Sequence, residues 1–227
     1  MMRRVAVRFV TASRLTRGRA TPTTTTKTPT RAARGVALSS TMSSPNDDKE
    51  SELRQLWATS YDGWIDAPGA RESTIYLRPA KNDADVRSAR TAGDVPPIAR
   101  TQYLFAVTAH NPMGVETLAE RNRRANDALL EDLKRIPNAT ATWESFGFSA
   151  EWREDGYVCA FEDGEEGRET MVAIAKKYAQ GAIYAYEAHD EFPWALRRRT
   201  VSAAMSDAVD ADVIVVRCEE PPFVRRE

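Results

Sequence analysis

The chain has 227 residues, 42% hydrophobic and 29% charged, enough for one buried core with an appendage. With only two cysteines and two histidines, a disulfide scaffold is excluded and a Cys/His metal site is strongly disfavoured. The formal charge of −1 hides an asymmetry: residues 1–46 carry nine basic side chains and no acid, leaving 23 basic against 33 acidic residues, a net −10, for the remainder.

A leader rich in Arg, Ser and Thr and free of acids has the composition of a mitochondrial or plastid transit peptide. Its Thr-Pro stretch around residues 21–30 reads as unstructured. Residues 1–44 are assigned to a removable organelle leader, mitochondrial or chloroplast, and 50–220 to a single globular domain. Translation from Met42 would leave a cytoplasmic form. A basic nucleic-acid-binding arm is the less favoured alternative. No apolar run approaches the ~20 residues that span a bilayer as a helix, so no membrane segment is expected.

Residues 51–60 read as a short helix carrying Leu53, Leu56 and Trp57, with turns at Asp62-Gly63 and Pro68-Gly69. Residues 74–77 form a strand and 81–97 a charged loop. Residues 103–109 are apolar on both alternating faces, as in a central buried strand, which stops at Asn111-Pro112 because proline cannot continue a ladder. Residues 116–136 form the clearest helix. Its apolar stripe runs through Leu118, Ala125, Leu129, Leu133 and Ile136, and Asn122 falls within it. A buried amide there must be hydrogen-bonded.

A hairpin follows, with Asp155-Gly156 as a two-residue turn that places Trp152 opposite Cys159 and Glu154 opposite Tyr157. Glu154 then projects from the core-packing face at its edge. Asp163 and Glu166 cap a helix over 165–179, and 182–186 is another buried strand. A helical turn over 201–209 and a strand over 213–216 close the chain. The order β-β-α-β-β-α-β, with a C-terminal helix and strand, predicts an α/β fold of the α+β type: a single layered domain with a mixed sheet and packed helices.

Thr108-Ala109-His110-Asn111-Pro112, Asn122-Arg123-Arg124, Trp152-Arg153-Glu154 and the segment from Lys177 to Ile183 resemble, in order and spacing, the domain of unknown function catalogued as 3293. The resemblance covers roughly residues 103–187. The acidic insert around 162–166 and the tail after Glu187 depart from the pattern. The resemblance implies a domain boundary and a set of polar residues but no activity.

Asn111 emerges where a buried strand meets a loop, a common ligand position in open sheets, or else closes that turn. Asn122 suits a buried partner of the same loop more than a ligand contact. Glu154 is the candidate general base, raised in pKa by its apolar neighbours, or a hairpin-end glutamate reaching solvent. Gln180 is a pocket amide or an ordinary helix-end group, and Arg123 or Arg124 an anion clamp or a solvated face. His110 faces away from Asn111 by strand alternation, and Cys159 reads as a small core residue. Arg197-Arg198-Arg199 is the one basic cluster of an otherwise acidic domain, which disfavours nucleic acid as a partner. Nucleotide-binding and metalloprotease motifs are absent, and no cofactor or metal is expected. Two functions follow: binding of a small polar metabolite by Asn111, Asn122, Glu154 and Gln180 at the sheet edge, with Glu154 as proton acceptor, or a non-catalytic interaction module that the same groups hold together.

Overall fold

A computed structural model describes residues 54–203, 211–219 and 221. The leader assigned to residues 1–44 lies outside the described residues. Helix α1 covers residues 54–59, followed by β1 (Tyr61–Ile65), β2 (Thr74–Pro79), α2 (Asp83–Ser88) and α3 (Ile98–Thr101). Then come β3 (Tyr103–Thr108), α4 (Ala119–Leu133), β4 (Ala139–Phe148) and β5 (Arg153–Phe161). The chain continues through α5 (Gly164–Lys177), β6 (Ala182–Ala188), β7 (Ala195–Ser202) and β8 (Asp212–Cys218).

The strands lie in the order β1-β2-β8-β7-β6-β3-β5-β4, every neighbouring pair is antiparallel, and β4 pairs back onto β1. The sheet is therefore a closed eight-stranded barrel, and the layered α/β domain with a mixed sheet does not form. Helices α4 and α5 mark where that expectation parted from the chain. Each returns the chain one place away from where it left, and an antiparallel strand fills the gap: β5 between β3 and β4, β3 between β5 and β6. This is a split β-α-β arrangement. Two further strands were hidden. Asp62-Gly63 reads as a turn but lies within β1, and the triple arginine of β7 obscures its alternation. The helical turn expected over 201–209 is replaced at its start by the end of β7, and 204–210 lie outside the described residues.

Closure gives each strand an inner and an outer face. Trp64, Ile75, Leu77, Leu104, Trp143 and Val158 point inward, and Val95 and Ala99, beside and within α3, join that cluster at one end. Outside, Phe105, Val107, Cys159 and Phe161 of β3 and β5 pack under Leu129 and Leu133 of α4 and Met171 and Ala175 of α5. Burial pushes the Cys159 thiol up to about 11, as befits a core residue.

The opposite end is where β1 begins and β3 ends. There Arg198, 1% exposed, points inward from β7 and reaches Asp62 at 2.5 Å. Its guanidinium also donates to the carbonyls of Trp57 (2.7 Å) and Ser60 (3.1 Å), closing the C-terminal end of α1. Arg197 and Arg199 point outward and pair with Asp212. Alternation thus divides the basic triplet between two environments.

At the β1–β4 seam the Phe146 ring lies over Gly63: a Cβ there would stand 2.1 Å from the ring and would have to displace it. Gly63→Ala is expected to lower stability by about 1–3 kcal/mol through overpacking at the closing pair, measured by urea unfolding. An unchanged midpoint would contradict the tight packing of the Phe146 ring on Gly63.

Candidate functional site

The site forms where β3 leaves the barrel. Asn111 takes a left-handed backbone (φ 44°), which asparagine tolerates better than most residues, and Pro112 follows it. Asn122, on the first turn of α4, lies against this loop. Its Oδ1 accepts from the Asn111 backbone N–H at 3.0 Å, and its Nδ2 donates to Asn111 Oδ1 at 3.0 Å and to the Thr117 carbonyl at 3.4 Å. The Thr117 N–H donates to Asn111 Oδ1 at 3.1 Å, so the loop closes on itself. Asn122 is 5% exposed, as its place in the stripe requires. Leu118, in contrast, lies outside that stripe, 80% exposed at the N-cap position of α4. The buried face begins with Asn122 and continues through Asn126, Leu129 and Leu133.

Asn126 has a comparable role one turn on. Its Oδ1 accepts from the Ala109 N–H at 2.8 Å and its Nδ2 donates to the Asp155 carbonyl at 2.7 Å. That carbonyl also accepts from Thr108 Oγ1 at 2.7 Å and lies 2.9 Å from His110 Nδ1. Gln180 follows Ala179, whose positive φ of 52° ends α5, and the Gln180 N–H donates back to the Ala175 carbonyl. Its Nε2 donates to the carbonyls of His110 (3.0 Å) and Tyr178 (3.3 Å). The Met113 N–H donates to the Ala179 carbonyl, which docks the loop on the end of α5. Asn122, Asn126 and Gln180 thus all direct their amides at the segment where β3 leaves the barrel.

Glu154 is differently placed. The hairpin does not turn at Asp155-Gly156. It turns through residues 149–152, where the Ser149 N–H donates to the Trp152 carbonyl at 2.9 Å, and Asp155 and Gly156 lie inside β5. Glycine is required at 156 because a Cβ would stand 2.4 Å from the Val107 carbonyl oxygen of β3. Register changes accordingly: Glu154 pairs with Gly147, and Cys159 with Thr142. On β5 the even residues Val158 and Ala160 face inward, so Glu154 faces into the barrel at the end where β3 leaves it, half-buried. The Asn111 amide donates to its Oε1 at 3.1 Å. Burial pushes its pKa up, against the pull of that amide and of His110.

Asn111 and Glu154 therefore meet, while Asn122 and Gln180 reach them through the loop. Arg123 and Arg124 both pair with Glu120 on the exposed side of α4. A cavity of about 430 Å³ lies elsewhere, lined by residues that include Thr74, Thr91, Arg217 and Cys218. Sequence reasoning missed Asn126 and the hydroxyl of Thr108. Asn126 had a signal: it stands four residues after Asn122, one turn along the same helix face.

Residues 107–183 match the model of a family described as "Protein of unknown function (DUF3293)". The matched segment runs from β3 to the start of β6 and contains Asn111, Asn122, Glu154 and Gln180. No curated protein and no solved structure matches the chain. Among the described residues, no helix is long and apolar enough to cross a membrane, and no group of His, Cys, Asp and Glu could hold a metal ion.

Asn122→Leu removes three hydrogen bonds and strands the Asn111 N–H, and is expected to cost about 1–3 kcal/mol in chemical denaturation. Glu154 has a pH signature. Its folded-state pKa lies above the ordinary 4.5, so its stabilising contribution is full below that value and is lost as pH rises through the folded pKa. Glu154→Gln, always neutral, is expected to melt above the parent protein at pH 7, with the gap closing towards pH 4. A gap independent of pH would contradict the burial of this carboxyl.

Proposed function

We propose that this domain binds a small polar molecule at the end of the barrel where β3 leaves it, held by Glu154 and Asn111, with the Asn122–Asn126–Gln180 network as the scaffold that fixes both. One observation carries this reading. A neutral glutamine at 154 would still accept the Asn111 hydrogen bond, more weakly than a carboxylate does, and would escape the larger cost that burial imposes on the charge. A charge that structure does not need, and that destabilises where it stands, points to a ligand.

Asn122 and Gln180, expected as ligand contacts, serve in this reading as supports, because their amide hydrogens already bond neighbouring groups. Arg123 has no part in it, being paired with Glu120. Glu154 is the proton acceptor for any reaction at this end, with Asn111 orienting its carboxylate. A non-catalytic interaction module is the second reading. The exposed Met113, Val115 and Leu118 on the same loop favour it, since they offer a partner an apolar contact.

A thermal-shift screen of the purified protein against polar metabolites separates the two. Ligand binding is expected to raise the melting temperature of the parent protein, and Asn111→Ala to weaken that response. If turnover accompanies binding, Glu154→Gln is expected to abolish it with binding nearly intact. Stabilisation that survives both substitutions would place the ligand elsewhere. Failure of every metabolite would leave the interaction module as the better account.

A further inference from the structure

We infer that the ligand at Glu154 is a small organic cation, an ammonium or substituted ammonium compound, an inference that rests on the assignment of Glu154 above. The Glu154 carboxylate faces inward opposite Gly147. Trp152 lays its ring against that same glycine, 3.4 Å from where a Cβ would stand, so the indole lies beside the carboxylate on the inner side of the hairpin. Tyr184 stands on the inner face of β6, with its hydroxyl 3.0 Å from Ser60 Oγ. Glu154, Trp152, Tyr184 and Asn111 are all partly open to solvent. A carboxylate beside an indole suits an ammonium group: the acid supplies the charge and hydrogen-bond acceptor, and the ring attracts the cation.

No basic side chain among the described residues forms an ion pair with Glu154. Its neighbour Arg153 holds Asp155 at 2.8 Å and lies over the Phe146 ring on the outer face. Arg198, 4.5 Å from the Tyr184 ring, is neutralised by Asp62. Residues 47–227 carry a net −10, which favours cations over anions around the whole domain. An anion would meet Glu154 head on, and a neutral ligand would leave its charge uncompensated.

The test is calorimetric titration of the full chain at pH 7.5 and constant ionic strength with methylammonium, ethanolammonium and choline chlorides. Ethylene glycol and sodium glycolate serve as the neutral and anionic counterparts of ethanolammonium. At least one of the three cations is expected to bind saturably and the counterparts not. Glu154→Gln should weaken that cation roughly tenfold or more, and Trp152→Leu severalfold, because each removes one half of the recognition. Glu154-dependent binding of glycol or glycolate in preference to the cations would overturn the cation assignment and leave the Glu154 site standing. Cation binding unaffected by Glu154→Gln would overturn it as well. Absence of Glu154-dependent binding by any of the five probes would overturn the cation assignment, and with the metabolite screen also negative the site itself falls.

Discussion

The barrel closes where β1 pairs with β4, and there the Phe146 ring of β4 lies over Gly63 of β1. The strand is five residues long, yet it joins β4 to β2 and so joins the split β-α-β half of the chain to the half made of β2, β7 and β8. Once the ring is closed, one face of every strand must be filled by side chains alone, because eight strands enclose a space of about that size. Trp64 and Trp143 meet edge to face there at 5.7 Å, and Trp64 meets Tyr186 in the same manner at 5.3 Å.

Closure also explains the polar residues of the interior. At the end plugged beside α3 the filling is apolar; at the other end it is charged. Arg198 and Asp62 are buried together, and the arginine donates to the carbonyls that end α1. Taking one partner away would strand the other charge, at a cost of about 3–5 kcal/mol. The pair therefore holds α1 against the barrel more than it adds net stability. Glu154 lies at the same end, where no arginine or lysine among the described residues pairs with it and the Asn111 amide donates to its Oε1.

Around Asn111 the logic is that of hydrogen-bond saturation. A loop leaving a barrel exposes backbone groups that no ladder satisfies. Asn122 and Asn126 from α4, and Gln180 from the end of α5, satisfy them at Ala109, His110, Asn111 and Asp155. Each amide is placed by a helix packed through Leu129, Leu133, Met171 and Ala175, so the geometry of the loop depends on the outer core. The result is a stiff support under the Asn111 side chain, whose own amide is directed at Glu154.

The sequence by itself determined the local elements whose causes are local. The apolar run of β3, the helix of α4, the capped helix α5 and the buried β6 all lie within a few residues of where periodicity and capping put them, and Asn122 is buried because of its place on a helix face. The motifs that resemble the family also lie inside the segment that its model matches. What only the tertiary structure decided is non-local. Asp62-Gly63 and Asp155-Gly156 carry turn chemistry, yet each glycine answers a close approach by another strand, which no local pattern encodes. Moving the hairpin turn to residues 149–152 changed every partner of β5 and set Glu154 against Gly147 inside a barrel. The arginine triplet read as one patch because alternation matters only once β7 has an inside and an outside. Closure supplied that distinction, and it depends on β1 meeting β4 across more than 80 residues of chain.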